Sequence, residues 1–348
     1  MRTRVEEQLT PSGASRRRFL EQSFGFSALA TLGRLPALAS PQPALAGPPP
    51  DPAAAHLLMI GDWGRDNSQV GQRAVAAGMV RYAPSIRPQA MLLLGDSWYG
   101  ALDGGVDSPR WKWQFEDMYP ASALPGPAYS VLGNHDYQRW PASKVDDELA
   151  YARTGKSRFT MPAKWYTFEF PAGKPLVTLI ALDSNTPRAD GKHDDGRDFT
   201  LTPAEYAEQL AWFEGELKKP RTTPHLVVMA HHPIYSDGPH GDHSMLIRDW
   251  DPLLRQYRVP LYLAGHDHDL QHLELAGHPT SFFLSGAGGA DLYDLKIPQS
   301  ERGPYAEKVF GFSHMEVTRE ALTLRHLDAE GRVLHAFRKD SQGKVTIL

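Results

Sequence analysis

Apolar residues in this chain gather into short runs that stop at glycine or at a polar cluster. Residues 56–60, 90–94, 128–132, 225–230, 259–264 and 281–284 are such runs. Their length and closure predict buried strands. Between the first two, Val75, Met79 and Tyr82 recur at helical spacing within 70–82. Thr202-Pro203-Ala204-Glu205 reads as a capping box with proline at the first helical position. Tyr206, Leu210, Phe213 and Leu217 then form one apolar stripe, read as core packing. Residues 165–170 and 176–182 read as a strand pair joined through 171–174, and 312–337 as antiparallel edge strands with a turn at 329–331. Strands alternating with helices, followed by a β-rich end, predict a layered α/β domain around a central sheet or sheet pair. No internal repeat interrupts it, so one domain from residue 56 to the C-terminus is the simplest partition.

The polar clusters that close these runs carry the chemistry. They are Gly61-Asp62-Trp63-Gly64, Gly95-Asp96-Ser97-Trp98-Tyr99, Gly133-Asn134-His135-Asp136, Ala230-His231-His232-Pro233 and Gly265-His266-Asp267-His268. Residues at strand ends are where open α/β sheets place their sites. The set reads as ligands for two cations. Cations ~3.5–4 Å apart repel and need a shared anion; Asp96 is assigned that bridge. Tyr99, three residues on, is either a phenolate ligand, which prefers a hard ion such as Fe(III), or a tyrosine packed beside Trp98. Trp63 and Trp98 read as cleft walls or core. Alternation along a strand admits one of His231 and His232 to the site, and His231 is preferred. Asp136 reads as orienting His135; Asp267 either does likewise at its own motif or shapes the turn, and a structural role is open for His243.

Composition narrows the options. The chain has 348 residues, a formal charge of -4 and no cysteine. Disulfides, thiolate metal sites and cysteine nucleophiles are excluded. A metal must sit on carboxylate, imidazole, amide or phenol, which suits Fe, Mn, Zn or Mg. The charge gives no case for nucleic acid. Ser15-Arg16-Arg17-Arg18-Phe19-Leu20 matches a twin-arginine export signature, followed by a mild apolar stretch over 23–33 too short to span a bilayer, then small-x-small cleavage sites at 37–39 and 44–46. The expected organisation is a signal peptide over 1–46, a Pro-rich linker over 47–55 and a catalytic domain over 56–348. The expected location is periplasmic or secreted, after passage through the twin-arginine machinery.

The five segments together resemble the calcineurin-like metallophosphoesterases, and within them the small, tartrate-resistant type of purple acid phosphatase. Leu182-Asp183-Ser184, the helix segment 209–213 and Ser285-Gly286-Ala287-Gly288 extend the resemblance over 59–334. It implies an α-β-β-α sandwich. It implies that Asp62, Asp96, Tyr99 and His268 hold the first metal, Fe(III), and that Asp96, Asn134, His231 and His266 hold a second Fe, Zn or Mn. His135 and His240 would face the phosphate without binding metal. The stretch His240-Gly241-Asp242-His243 is one residue shorter than the matching stretch of the family.

The activity so implied is hydrolysis of small phosphate monoesters by a metal-bound hydroxide, on the acid side of neutrality. A phosphodiesterase or nucleotide hydrolase of the same superfamily would use the same motifs. A periplasmic metal- or phosphate-binding protein without catalysis is the third reading. The polar segment 185–199, with Asp190, Asp194, Asp195 and Asp198, reads as a lid or as a solvated loop.

Overall fold

In the computed structural model the apolar runs pair into two sheets. The structure describes residues 47–65, 69–138, 144–187, 200–297 and 301–348. The chain divides into two units, Met1–Gln42 and Pro43–Leu348, and every described residue belongs to the second. The twin-arginine segment, both cleavage sites and the acidic residues of 190–198 lie outside the described residues.

The first sheet has the order Val345–Ile347, Val333–Asp340, Ala321–Asp328, Gly311–Val317, Ala55–Ile60, Ala90–Leu93, Ala128–Ser130, Phe159–Thr160. The last four run parallel. The second has the order Tyr305–Glu307, Leu270–Glu274, Ser281–Ser285, Leu261–Ala264, His225–Met229, Val177–Ala181, Tyr166–Phe170. Its parallel core is 177–181, 225–229, 261–264 and 281–285. The C-terminal strands are antiparallel as expected, but they are not an edge. Gly311–Val317 pairs directly with Ala55–Ile60 at the middle of the first sheet. Its two faces are both buried, which an alternating pattern alone did not distinguish from a half-exposed edge.

Side-chain alternation builds the layers. Val227 and Met229 point into the core shared by the two sheets, with Met59, Leu92, Leu263 and Phe283. Leu226 and Val228 point the other way, onto Phe213 and Leu217 of the helix Pro203–Lys218. On the first sheet, the helix Val70–Ile86 packs against Gly311–Val317. The result is the layered α-β-β-α sandwich. The Pro-rich segment read as a linker is hydrogen-bonded to it: Arg325 Nη2 donates to Pro48 O at 3.3 Å and Asp51 N to Glu316 Oε2 at 3.3 Å.

Parallel strands share a direction, so their C-terminal ends face one rim. Asp62 follows Ile60, Asp96 follows Leu93, Asn134 follows Ser130, His231 follows Met229 and His266 follows Ala264. Backbone bonds stitch these loops together, across the two sheets from Gly61 N to Ser285 O (2.7 Å) and within each sheet from Asp62 N to Gly95 O (3.1 Å) and from Gly265 N to His231 O (2.9 Å).

Candidate metal centre

Tight turns at the strand ends bring the polar groups together. Asp62, Asp96 and His266 have φ of 58°, 51° and 73°, the left-handed region. Non-glycine residues held there mark sites where surrounding structure over-determines the backbone. Gly95, at φ 88°, lets the chain pass His231: a Cβ there would meet Nδ1 at 2.5 Å. A Cβ on Gly133 would fall 2.1 Å from Asp96 Oδ1.

Seven of the expected residues converge. The Tyr99 hydroxyl lies 3.3 Å from Asp62 Oδ1, 3.1 Å from Asp96 Oδ2 and 3.1 Å from His268 Nε2. His231 Nε2 lies 3.1 Å from Asn134 Oδ1 and 3.4 Å from Asp96 Oδ1. His266 Nδ1 lies 3.0 Å from Asn134 Oδ1 and 3.2 Å from His231 Nε2. Asp62, Asp96 and His268 form one cluster with metal-ligand spacing, and His231, His232 and His266 a second. Asp96 touches both halves.

The donor set fits a pair of cations. It comprises carboxylate, phenol, amide oxygen and imidazole without thiol, which suits hard to borderline ions. Acceptor atoms are driven against each other, an arrangement that positive charge offsets. Burial, then Asp96 and Asp62, push the Tyr99 phenol well above 10. Burial opposes charge on His231, yet Asp96 and then Asp62 lift it to about 10. Burial, then His232 and His231, hold His266 well below 6.5. A cation in each cluster removes these conflicts, because it binds the deprotonated forms.

His135 and His240 line the centre from two sides. His135 donates its backbone N–H to Asp96 Oδ1 (2.8 Å), its Nδ1 contacts Gln138 Oε1 (2.7 Å), and its ring lies 4.0 Å from that of Tyr99. His240 Nδ1 pairs with Asp267 Oδ1 at 2.5 Å, and its ring lies 4.2 Å from His266. Both remain partly exposed. Shortening the loop therefore leaves His240 at the centre.

Several neighbouring expectations change. His231 and His232 both approach the site. They lie beyond the strand, which ends at Met229, so alternation no longer governs them. The His232 ring is 4.3 Å from that of His266, and its Nδ1 is 2.8 Å from Ser184 Oγ. Asp136 does not contact the His135 ring. Its carboxylate accepts N–H bonds from Ser97 (3.3 Å), Trp98 (3.0 Å) and Gly133 (2.8 Å), tying two motif loops together. Asp267 orients His240, with Ser236 Oγ donating to its other oxygen. His243 is structural: its Nδ1 accepts from Leu246 N at 3.3 Å and caps the helix Ser244–Asp249. Trp63 and Trp98 are fully buried and packed edge to face, so they are core.

Three contributors escaped the sequence reading. Arg110 donates to Gly64 O and Tyr99 O, both at 2.9 Å, and braces the loops from behind. Asp291 O lies 2.6 Å from His268 Nδ1. Tyr293 stacks on His268 at 4.0 Å. None sits in a motif; the last two belong to an irregular segment without periodicity.

Comparison with known proteins agrees with this geometry. The family described as calcineurin-like phosphoesterase matches residues 55–270. Human tartrate-resistant acid phosphatase type 5 is 28% identical over 301 residues, covering 81% of this chain and 89% of the relative. Purple acid phosphatase 17 of Arabidopsis thaliana is 30% identical, covering 80% and 82%. Among solved structures, GAP50, the anchor in the inner membrane complex of Plasmodium, shares the fold with a TM-score of 0.67 at 21% identity, covering 81% of this chain and 87% of that one.

Proposed function

Because the chain belongs to the calcineurin-like phosphoesterase family and is a hydrolase of phosphoric ester bonds, we propose that it is an exported dinuclear-metal phosphomonoesterase of the purple acid phosphatase type. The observation that carries this reading is the Tyr99 hydroxyl, placed among Asp62, Asp96 and His268. Asp62, Asp96, Tyr99 and His268 would hold Fe(III). Asp96, Asn134, His231 and His266 would hold a divalent Fe, Zn or Mn. Bound there, the two cations neutralise phosphoryl oxygens and acidify water.

The chain's own residues do the rest. Asp96 keeps the two halves in register. Asn134 supplies its amide oxygen without adding charge. Asp267 accepts from His240 Nδ1 and fixes the ring, so Nε2 is the nitrogen left to pass a proton to the leaving alkoxide. His135, held through Gln138 and packed at a tilt beside Tyr99, offers a second donor to the phosphoryl oxygens.

Three measurements test this reading. The purified protein is expected to be violet, from phenolate-to-Fe(III) charge transfer, and to contain about two metals per chain. A chromogenic monoester should be cleaved much faster than the matching diester; the reverse preference would make the enzyme a phosphodiesterase. Full metal occupancy with no hydrolysis of either would leave only a binding role.

The export proposal rests on Ser15-Arg16-Arg17-Arg18-Phe19-Leu20 and the small-residue sites before residue 47. With it go the partition into signal peptide, linker and catalytic domain, and a periplasmic or secreted location. Replacing Arg16 and Arg17 with lysine should retain the protein in the cytoplasm. Among the described residues no helix is long and apolar enough to cross a membrane.

A further inference from the structure

Tyr293 stands at the mouth of the centre in a position the proposed reaction has not yet used. Its backbone N–H donates to His268 O at 3.2 Å, and its ring lies flat on the His268 imidazole, at 4.0 Å and 13°. The ring of His240 meets it edge-on at 5.4 Å and 67°. Tyr293 thus fills the gap between a candidate metal ligand and the candidate general acid. Its hydroxyl has no hydrogen-bond partner among the described residues, although it stands in the field of Asp62, Asp96 and Asp267. The Tyr99 phenol in turn feels Tyr293. A half-buried hydroxyl on a ring packed between His268 and His240, with no partner among the described residues, is free to serve a further acceptor.

We propose that the Tyr293 hydroxyl donates a hydrogen bond to a non-bridging oxygen of the phosphoryl group bound at this centre. The inference rests on the phosphatase reading and deepens it. Most side chains around the centre are acceptors. A tetrahedral oxyanion needs donors, and His135 and His240 supply two. Tyr293 adds a third from the His268 side. The bond is charge-assisted, so its loss should weaken phosphate binding about tenfold or more.

Tyr293→Phe keeps the stack on His268 and the edge contact with His240 but removes the donor. Titration calorimetry of inorganic phosphate into the metal-loaded protein is the direct test. The expected result is a Kd for phosphate raised about tenfold, with metal content and visible absorbance equal to the parent. A phosphate Kd within twofold of the parent overturns the proposal. So does a variant that loses metal, since Tyr293 would then be a prop for His268. The parent is measured first for ester hydrolysis and phosphate binding. A parent that does neither sinks the phosphatase reading and this inference together. A parent that does both, beside an unaffected Tyr293→Phe, sinks this inference alone.

Discussion

At the scale of single residues, Asp96 carries the connectivity of the centre. One oxygen faces the Tyr99 hydroxyl; the other accepts His135 N–H and lies 3.4 Å from His231 Nε2. Asp96→Ala should therefore cost both metals, not one, by elemental analysis after dialysis. A variant that keeps about two metals per chain would show that Asp96 is not the bridge. Asp267→Asn tests a different link. It leaves the ligand set intact but weakens the hold on His240, so kcat should fall about 10–100-fold at unchanged metal content. His240→Ala should add little to Asp267→Asn, because the pair acts as one unit. The convergence of the candidate ligands was legible because six of the seven sit at a fixed offset from a strand-closing glycine and the seventh, His231, follows Ala230 at a strand end. His232 was misread because the alternation rule was carried past the last hydrogen-bonded strand residue. Tyr293 and Asp291 gave no signal, since their roles come from a fold that brings an irregular segment against His268.

Among the elements, the helix Pro203–Lys218 was legible down to its cap. Thr202 Oγ1 accepts Glu205 N at 3.2 Å, Glu205 Oε2 accepts Thr202 N at 2.8 Å, and Lys164 Nζ joins Glu205 at 2.7 Å. Thr202→Ala should cost about 1 kcal/mol, read as a lower urea midpoint at unchanged slope. An unchanged midpoint would mean that tertiary packing alone fixes this end. The parallel strands other than Phe159–Thr160 were legible for a simple reason: both faces are largely covered, so they are mostly apolar. The strand Leu270–Glu274 was not legible. Its sequence Leu-Gln-His-Leu-Glu looks like a loop, yet it is almost wholly buried. Its polar groups find fixed partners: Gln271 Nε2 donates to Ser236 Oγ and Asp269 Oδ1, and His272 Nδ1 lies 2.9 Å from His335 Nε2. Burial of a polar side chain depends on partners far along the chain, and a local pattern does not contain them.

Those partners give the whole molecule a pH dependence separate from its chemistry. His272 on 270–274, His326 on 321–328 and His335 on 333–340 share a buried layer. Tyr305 stacks on His335 at 4.8 Å, and Phe283 stacks on His326 at 3.8 Å. Burial, then His272, push His335 down to about 3; burial, then His335, put His326 well below 6.5. Burial also lowers His272, although Glu274 opposes it. In the unfolded chain these rings titrate near ~6.5. Below that pH the unfolded state binds more protons than the folded one, so stability falls as pH falls. Each such ring contributes a slope of up to ~1.4 kcal/mol per pH unit, and for His335 the loss continues to about pH 3. Above ~6.5 both states are neutral and the contribution is flat. An enzyme proposed to work in acid therefore carries a layer that acid undermines, and its upper limit of acidity should be set by unfolding, not by loss of activity. The check is the melting temperature of the metal-loaded protein at pH 7, 6 and 5, for the parent and for His335→Phe. Phenylalanine keeps the stack on Tyr305 and removes one titrating ring, while the metal centre is the same in both proteins. Whatever the variant does to the absolute melting temperature, its fall from pH 7 to 5 should be shallower than the parent's. Parallel curves would place the acid sensitivity elsewhere, with the ligands of the centre itself as the next candidates.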